Sequence, residues 1–307
     1  MDFELAIIGG GPAGYSAGIY AVRAGIRTVL FDKGGGGGLA SIAPNIENYA
    51  GFPSISGMEL MEKMKEHASR YVDLHLYEEV ESIIKKDDSF LIATSEQKTY
   101  KIGAILIATG TEHRKLECTG ATEFEGRGVS YCATCDGFFF KNKKVAVVGG
   151  GNSALIEAIY LKQIGCTEVY LIHRRDKLRA EEAYEHDAKK AGVKFIFNTI
   201  IEEIKGNEKV GSMHLKDISN GKISTISVDG VFVSIGVLPE NTVAKGLGVL
   251  LDEYGYIKVD GHMRTNVKGV FAAGDITGGI RQIITAAAAG AIAALTSTEV
   301  LGKKYPY

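Results

Sequence analysis

The length and charge balance of the chain exclude several classes of protein. It has 307 residues, and its 35 lysines and arginines against 37 aspartates and glutamates give a formal net charge of −2. The length suggests about two domains, and 45% hydrophobic with 23% charged residues is ordinary for a folded globular protein. Because there is no basic excess, nucleic acid is not expected as a partner. The 39 glycines beside only 5 prolines indicate tight turns inside an ordered fold.

The amino-terminal segment predicts a dinucleotide-binding unit. Residues 4–8 form a short apolar strand, residues 9–14 read Gly-Gly-Gly-Pro-Ala-Gly, a helical pattern follows, and residues 27–32 form a second strand that ends in Asp32. In such a turn the first glycine permits the tight bend, the second lets a pyrophosphate approach the backbone, and the third lets helix and strand pack closely. These three positions are Gly9, Gly11 and Gly14. Asp32 lies near the distance typical of an acid that holds ribose hydroxyls, so the context favours a dinucleotide site over a plain glycine-rich turn.

The next motif is a pair of closely spaced cysteines. Cys132 and Cys135 form a C-x-x-C that is followed at once by Asp136. Structural zinc would need a second such pair or a suitably spaced histidine pair, but Cys118 and Cys166 are isolated, so no metal site is predicted. An inert buried thiol pair is a second alternative, and a redox-active dithiol is favoured because close-spaced cysteines commonly undergo exchange. Asp136 would then donate or accept the proton of a thiolate, a role compatible with that of a helix N-cap.

The dinucleotide pattern returns in the middle of the chain. Residues 144–148 form a strand, residues 149–154 read Gly-Gly-Gly-Asn-Ser-Ala, and residues 168–172 form the next strand. No acid ends that strand, and residues 173–180 read His-Arg-Arg-Asp-Lys-Leu-Arg-Ala instead. A basic cluster at the position of the ribose-binding acid predicts a ligand with a 2′-phosphate. The second turn therefore predicts NADP(H), with a solvated basic loop as the alternative.

The last part of the chain holds a second acid and a long apolar segment. Residues 269–275 form a strand that ends in Gly274 and Asp275, an acid suited to the ribityl chain of a flavin. The alanine-rich run 283–301 is long enough to span a membrane. Because alanine is only weakly apolar and Thr, Ser and Glu interrupt the run, we expect a buried helix packed closely on a neighbour and no membrane partner.

The compartment is predicted from the amino terminus and the cysteine count. The first residues carry neither the basic start nor the small-residue cleavage site of a secretory signal. Four cysteines are too few for a disulfide scaffold in a chain of this length. A reducing, cytoplasmic location is therefore expected.

Together, these motifs resemble the low-molecular-weight thioredoxin reductases of the pyridine nucleotide-disulfide oxidoreductase family. The likeness runs in order over essentially the whole chain, and the Cys-Ala-Thr-Cys-Asp segment joined to His-Arg-Arg-x-x-x-Arg-Ala is highly specific to those enzymes. The matching segments are Gly9–Gly14, Glu47–Tyr49, Ala108–Gly110, Cys132–Asp136, Gly149–Ala154, His173–Ala180 and Gly269–Asp275. The resemblance implies an α/β fold with two Rossmann-like, three-layer nucleotide-binding domains, the second inserted into the first. An FAD-binding domain is expected over 1–112 and 241–307, and an NADPH-binding domain that carries the redox-active cysteines over 113–240.

The resemblance also implies a homodimeric flavoprotein that reduces disulfides. Electrons would pass from NADPH to FAD, then to the Cys132–Cys135 disulfide, and finally to thioredoxin or a thioredoxin-like protein. Two rival functions share parts of the pattern: a reductase of the same fold supplied by ferredoxin or a deazaflavin, and a flavin-dependent dithiol oxidase. The arginines at 174, 175 and 179 favour the NADPH-dependent enzyme, because neither rival needs a 2′-phosphate site.

Residue by residue, the resemblance implies catalytic roles for Cys132, Cys135 and Asp136. The expected FAD contacts are Gly9, Gly11, Pro12, Ala13, Gly14, Asp32, Lys33, Gly38, Leu39, Asn48, Ala108, Thr109, Gly110, Gly274, Asp275, Arg281, Gln282 and Ile283. The expected NADPH contacts are Gly149, Gly151, Asn152, Ser153, His173, Arg174, Arg175, Arg179, Ile235 and Gly236.

Two segments draw attention because of their composition. The family's flavin loop usually reads Gly-Gly-Gln-Leu, whereas five glycines, 34–38, here lead into Leu39, an apolar side chain at the glutamine position. Residues 138–140 are three phenylalanines. We expect them in the core rather than at a docking surface, because clustered aromatic side chains are usually buried.

Overall fold

The computed structural model describes residues 1–43 and 45–305, and the chain divides into two compact units. The first unit combines two separate stretches, Met1–Glu112 and Leu238–Tyr307. The second unit is the continuous stretch between them, His113–Val237. The second unit is therefore inserted into the chain of the first.

Seventeen strands and seven helices make up the described part of the chain, joined in places by short 3₁₀ turns. The first stretch contains β1 (Phe3–Ile8), α1 (Pro12–Arg23), β2 (Thr28–Asp32), α2 (Gly57–Ser69), β3 (Asp73–Leu76), β4 (Val80–Lys86), β5 (Ser89–Thr94), β6 (Thr99–Ile107) and β7 (Thr111–His113). The inserted unit contains β8 (Val129–Ser130), α3 (Ala133–Asp136), β9 (Lys144–Gly149), α4 (Asn152–Gln163), β10 (Glu168–Ile172), α5 (Glu182–Lys190), β11 (Lys194–Ile196), β12 (Thr199–Gly206), β13 (Val210–Asp217), β14 (Ile223–Ser227) and β15 (Gly230–Ser234). Strands β7 and β16 (Val237–Pro239) each cross a boundary between the stretches by one residue, and the last stretch continues with α6 (Thr242–Gly246), β17 (Val270–Ala272) and α7 (Ile283–Val300).

The main sheet of the first unit has the order β3-β2-β1-β6-β5-β4, and β17 also pairs with β6. Its central strands are parallel, with Ile7 of β1 opposite Leu30 of β2 and Leu106 of β6. Strand β3 is parallel to β2, and β17 is parallel to β6. Strand β5 is antiparallel to both of its neighbours, β4 and β6. The carboxyl ends of β1, β2, β6 and β17 therefore share one edge, which is where ligands bind in open α/β sheets.

This sheet is covered on both faces, which explains why its strands are continuous apolar runs. Leu5, Ile7 and Leu106 pack in a core with side chains of α1, α2 and α7. Ala6 and Ile105 point to the opposite face, where the side chains of β4, β5 and α6 complete a second core. The first unit thus has three layers.

The inserted unit repeats this design around the all-parallel sheet β11-β10-β9-β15-β8. On one face Val147 and Leu171 pack against side chains from α3, α4 and α5. On the other face Ala146 packs with Met213 and Leu215 of the antiparallel sheet β12-β13-β14. Two three-layer α/β units are present, so the predicted fold class is confirmed.

Helix α7 corresponds to the alanine-rich run. A Cβ atom on Gly290 would lie 2.0 Å from the carbonyl oxygen of Ala13, so α7 approaches α1 too closely for a side chain at that point. This close packing confirms the expected contact, although Ile284 and Ile292 remain exposed on the other face. Within residues 1–43 and 45–305, α7 is the one helix long and apolar enough to cross a membrane by length and composition.

The three phenylalanines do not all enter the core. Phe140 packs edge-on against Phe232, with ring centroids 5.2 Å apart, and Phe139 is half-buried. Phe138 is 59% exposed, so the expectation of burial is wrong for this residue. The segment Gly137–Phe140 is a 3₁₀ turn, in which consecutive side chains point in three different directions.

Candidate cofactor and redox sites

The first glycine turn connects β1 to α1, and its glycines have distinct surroundings. A Cβ atom on Gly9 would lie 2.2 Å from the carbonyl oxygen of Ala108, and one on Gly14 would lie 1.9 Å from the carbonyl oxygen of Gly9. A Cβ atom on Gly11 would meet nothing within 4 Å. The fold therefore requires Gly9 and Gly14, whereas Gly11 faces open space through which a phosphate can approach.

Helix α1 has the features of an anion-binding helix. Gly11 is its N-cap, no side chain caps it, and its first turn contains no acidic residue. Pro12 occupies the first helical position, where the missing N–H costs no hydrogen bond. No acidic side chain of its own first turn therefore competes for the positive end of the helix dipole, which suits the diphosphate of a dinucleotide.

Asp32 connects the glycine turn to the glycine run. Its Oδ2 accepts a hydrogen bond of 2.7 Å from the N–H of Gly10, and its Oδ1 accepts one of 2.8 Å from the N–H of Gly34. The N–H of Gly37 also donates to the carbonyl oxygen of Gly10, at 2.6 Å. A carboxylate oxygen has a second lone pair, so Asp32 can fix this loop and still accept from a ribose hydroxyl.

The middle of the glycine run is constrained by a buried tyrosine. Gly36 has a φ of +79°, and a Cβ atom there would lie 2.0 Å from the hydroxyl oxygen of Tyr15. The run then returns to the first turn, because a Cβ atom on Gly38 would lie 4.0 Å from the Cα of Gly11. Leu39 follows, half-buried, in the 3₁₀ turn Gly38–Ile42.

The structure brings together candidate flavin residues that are far apart in sequence. Asn48 Nδ2 donates a hydrogen bond of 2.9 Å to Oε1 of Gln282, the residue that caps α7 ahead of Ile283. Gly274 packs on α1, since a Cβ atom there would lie 3.0 Å from the Cβ of Ala13. Burial raises the pKa of the adjacent Asp275, and the charge of Arg281 acts in the opposite direction.

Other candidates in the first unit are engaged with protein groups. Lys33 forms ion pairs with Glu112 at 3.2 Å and Glu240 at 3.6 Å. The Thr109 hydroxyl donates to the carbonyl oxygen of Glu240 at 2.7 Å. Ala108 and Gly110 flank Thr109 just after β6, and Gly110 has a φ of +70°.

The second glycine turn, between β9 and α4, has the same division of roles. A Cβ atom on Gly149 would lie 2.4 Å from the carbonyl oxygen of Ser234, and one on Gly150 would lie 2.1 Å from the His173 ring. A Cβ atom on Gly151 would meet nothing within 4 Å. Gly151 is also the N-cap of α4, which has no side-chain cap and no acid in its first turn.

The basic loop lies against this turn. The backbone N–H of Arg179 donates to the carbonyl oxygen of Gly150 at 2.7 Å. The side chains of Arg174, Arg175 and Arg179 are exposed. In the described part of the chain no carboxylate forms an ion pair with any of these three arginines, so their charge is not neutralised by the protein.

Two of the expected NADPH residues, His173 and Asn152, form hydrogen bonds with protein groups near the second glycine turn. His173 is buried, its Nε2 lies 3.1 Å from the carbonyl oxygen of Lys177, and burial lowers its pKa. Asn152 makes two hydrogen bonds with Glu181, one to the carboxylate at 2.8 Å and one from the backbone N–H at 2.9 Å. Ser153 is exposed beside Asn152, and Ile235 and Gly236 follow the end of β15.

Cys132 and Cys135 form a disulfide, with Cα atoms 5.3 Å apart. Cys132 is the N-cap of α3, and its Sγ accepts a hydrogen bond of 3.2 Å from the N–H of Cys135. That donor would also stabilise a thiolate on Cys132 when the pair is reduced. No group of three or more His, Cys, Asp or Glu side chains within residues 1–43 and 45–305 is arranged to hold a metal ion.

Asp136 ends α3 and lies partly inside the protein. Burial raises the pKa of its carboxyl group, and a hydrogen bond from Ser130 acts in the opposite direction. That bond joins the Ser130 hydroxyl to Asp136 Oδ2 at 2.6 Å. The other oxygen, Oδ1, is buried and has no hydrogen-bond partner among the described residues.

Sequence reasoning missed three residues that hold these sites together. Tyr15 lies beneath the glycine run, Glu181 binds Asn152, and Ser130 binds Asp136. The first two have no local signal, because their partners lie on other segments. Ser130 precedes Cys132 by two residues, and a hydroxyl so close to a C-x-x-C-D segment was a usable signal.

Comparison with known proteins agrees with this geometry. The family model for pyridine nucleotide-disulphide oxidoreductases matches residues 3–290, and the chain belongs to this family. Its relatives place it among the thioredoxin reductases of that family. The thioredoxin reductase of Listeria innocua is 44% identical, over 95% of this chain and 91% of the relative, and that of Bacillus subtilis is 42% identical, over 95% and 92%.

Solved structures show the same relationship. The crystal structure of thioredoxin reductase from Streptococcus pyogenes matches this chain with a TM-score of 0.92 at 38% identity and covers 98% of both chains. Thioredoxin reductase from Giardia duodenalis matches with a TM-score of 0.89 at 38% identity and covers 98% of this chain and 99% of its own. Membership in this family implies a flavin and a nicotinamide cofactor.

Proposed function

We propose that this chain is an FAD-dependent thioredoxin reductase that takes electrons from NADPH. The observation that carries the proposal is the Cys132–Cys135 disulfide, linked through Ser130 to the carboxylate of Asp136. This redox pair lies in the same compact unit as a dinucleotide turn. A dithiol, a proton carrier and a nucleotide turn are the parts that a disulfide reductase needs.

The first unit fits FAD. Gly11 leaves an open approach to the amino-terminal end of α1, which no side chain caps, and Asp32 lies at the end of the next strand. Polar groups for the flavin come from three residues. Asn48 is hydrogen-bonded to Gln282, the N-cap of α7, and Asp275 begins the 3₁₀ turn that follows β17. We propose that the other flavin contacts named in the sequence analysis also bind FAD.

The second unit fits NADPH. Gly151 is open in the same way as Gly11, and α4 is uncapped in the same way as α1. Arg174, Arg175 and Arg179 offer guanidinium groups, whose planar donor forks match a phosphate. We infer that His173 and Asn152 act on the shape of the turn, since both are bonded to protein groups.

A bound FAD would supply the redox chemistry that links a nicotinamide to a disulfide. The protein's own groups then carry out the exchange with the partner. A thiolate of the reduced pair attacks the partner's disulfide and forms a mixed disulfide, releasing one partner thiolate. The second cysteine attacks its neighbour, the Cys132–Cys135 bond forms again, and the second partner thiolate leaves. The two protons of the dithiol end on the two released sulfurs, and Asp136 is the group that holds a proton between these events.

The partner is proposed to be thioredoxin or a thioredoxin-like protein. Phe138 lies three residues after Cys135 and is 59% exposed, which gives a protein substrate an apolar side chain beside the dithiol. Phe138→Ala should raise the KM for thioredoxin at least several-fold more than the KM for a small aromatic disulfide, measured with the same enzyme. Equal changes in the two KM values would contradict a docking role for Phe138.

Two further properties are proposed from the family. The chain is expected to form a homodimer, which light scattering of the purified holoenzyme would detect as twice the chain mass. It is expected in the cytoplasm, and fractionation of cells would test this by the distribution of the protein between the cytosolic and membrane fractions.

The first experiment is anaerobic reduction of the purified holoenzyme, followed by the visible absorbance of the flavin. Rapid bleaching by NADPH, with slower bleaching by NADH, is the result expected from the arginine loop. Bleaching followed by reoxidation on addition of oxidised thioredoxin completes the proposed sequence. No bleaching by either nucleotide would reject the NADPH step and favour a ferredoxin- or deazaflavin-dependent reductase or a dithiol oxidase.

A further inference from the structure

We propose that Ser130 is a positioning residue for thiol–disulfide exchange, because its hydroxyl fixes the carboxylate of Asp136 against the backbone of Cys132. The inference rests on the proposed disulfide reductase function. It assigns a specific task to a residue outside the C-x-x-C-D segment.

The position of Ser130 is set by the sheet. It ends β8, where it pairs with Phe232 of β15, and only 7% of its surface is exposed. Its Oγ donates a hydrogen bond of 2.6 Å to Asp136 Oδ2 and accepts one of 3.1 Å from the N–H of Cys132. The hydroxyl therefore joins the carboxylate to the first cysteine by using a donor and an acceptor at once.

The consequence for Asp136 is that its two oxygens differ. Oδ2 is held by Ser130, whereas Oδ1 is buried and has no partner among the described residues. A buried polar atom without a partner is costly, so its place in the fold requires an explanation. With Oδ2 fixed, Oδ1 is the atom left to take a proton from a thiol and return it to a leaving thiolate.

Other charged groups contribute little to this carboxylate. Helix α4, which packs against α3, carries Glu157, Tyr160 and Lys162. Cys135 lies in α3 itself and Cys132 is its N-cap. Within the described chain, burial and the Ser130 hydroxyl are the influences that shift the pKa of Asp136. Loss of the hydroxyl therefore removes a hydrogen bond that favours the ionised carboxylate.

The proposed exchange neither gains nor loses protons or electrons. When a thiol of the reduced pair attacks a substrate disulfide, its proton passes to the Asp136 carboxylate as the new S–S bond forms and the old one breaks. The carboxylic acid then returns that proton to the departing sulfur. Two electrons pass from the dithiol to the substrate over the full exchange, and Ser130 keeps its own proton throughout.

The test compares Ser130→Ala, Ser130→Thr and Asp136→Asn in the holoenzyme, with Ser227→Ala, an exposed strand serine of the same unit, as the matched control. The readout is the pH dependence of stoichiometric reduction of DTNB by enzyme whose dithiol was first reduced with TCEP, with the TCEP removed before DTNB is added. Ser130→Ala should raise the midpoint of the acid limb by about one pH unit, the scale expected for a lost hydrogen bond to a charged group. Ser130→Thr should keep the wild-type midpoint because it keeps the hydroxyl, and Asp136→Asn should leave only the limb set by ionisation of the attacking thiol.

Three results would overturn the inference: an unchanged midpoint in Ser130→Ala, equal shifts in the alanine and threonine variants, or an acid limb in Asp136→Asn with the wild-type midpoint. Thermal unfolding of each variant separates a shifted midpoint from loss of the fold. Since the readout uses no nucleotide, failure of NADPH to bleach the flavin would reject the proposed function without deciding the role of Ser130.

Discussion

Replacement of single glycines in the second turn should separate folding from nucleotide binding. Gly151 has an extended backbone, with a φ of −105° and a ψ of 178°, and a Cβ atom there would meet no protein atom within 4 Å. Gly151→Ala should therefore leave the free energy of unfolding unchanged or raise it by about 0.4–1 kcal/mol, the usual effect of a compatible glycine replacement. The added methyl group would occupy the space through which the NADPH diphosphate approaches.

Gly149→Ala is the matched variant with the opposite expectation. Its Cβ atom would lie 2.4 Å from the carbonyl oxygen of Ser234 and 2.6 Å from the Cβ of Ala154. Both neighbours are held by β15 and α4, so they must shift by about an ångström to reach ordinary contact, and overpacking of this kind costs about 1–3 kcal/mol. A domain of this size loses roughly 2–8 °C in melting temperature for each kcal/mol.

The assay combines thermal unfolding without nucleotide and the rate of flavin bleaching at increasing NADPH. We expect Gly151→Ala to keep the wild-type melting temperature and to weaken NADPH binding about ten- to a hundredfold, equivalent to about 1.4–2.8 kcal/mol. We expect Gly149→Ala to lower the melting temperature. A Gly151→Ala enzyme with the wild-type NADPH dependence would refute the assignment of this open face to the nucleotide.

Three more predictions test other parts of the molecule. Cys132→Ser and Cys135→Ser should each retain NADPH-driven bleaching of the flavin and lose disulfide reduction, and retained reductase activity in both would reject the dithiol. A triple variant with alanine at Arg174, Arg175 and Arg179 should have a kcat/KM for NADPH at least about tenfold lower, and its kcat/KM for NADH should change little. Equal losses of kcat/KM for the two nucleotides would reject a 2′-phosphate site. Burial raises the pKa of Glu78, but hydrogen bonds from Thr94 and His75 outweigh it and hold the pKa below its usual value. Glu78 therefore stabilises the fold above its unfolded-state pKa, and this stability is lost as the pH falls through the folded-state pKa. Glu78→Gln should consequently show a smaller drop in melting temperature on acidification than the wild type, and equal drops would contradict this.

The sequence predicted the parts of the fold that depend on neighbouring residues. Both glycine turns and their flanking strands were identifiable because the strand, the glycines and the following helix are consecutive in the sequence. The close packing of α7 was predicted from its small residues, and it occurs at Gly290.

The contacts between distant segments could not be predicted in the same way. The Asn48–Gln282 hydrogen bond joins residues separated by 234 positions, and Asn152 meets Glu181 across a strand and a loop. Their geometry depends on how whole layers pack. Phe138 illustrates a further limit, because composition indicated burial whereas the local 3₁₀ turn directs its ring outward.

The glycine N-caps of α1 and α4 have a consequence for the stability of the protein. A helix normally satisfies its first N–H groups with its own side chains, as α2 does with Ser56, but α1 and α4 each begin at a bare glycine. A bound diphosphate would complete the end of each helix, and a ligand that binds only the folded state adds its binding free energy to the stability of that state. Each bound nucleotide would then raise the free energy of unfolding of the protein, so that scarcity of flavin would lower its resistance to unfolding and proteolysis.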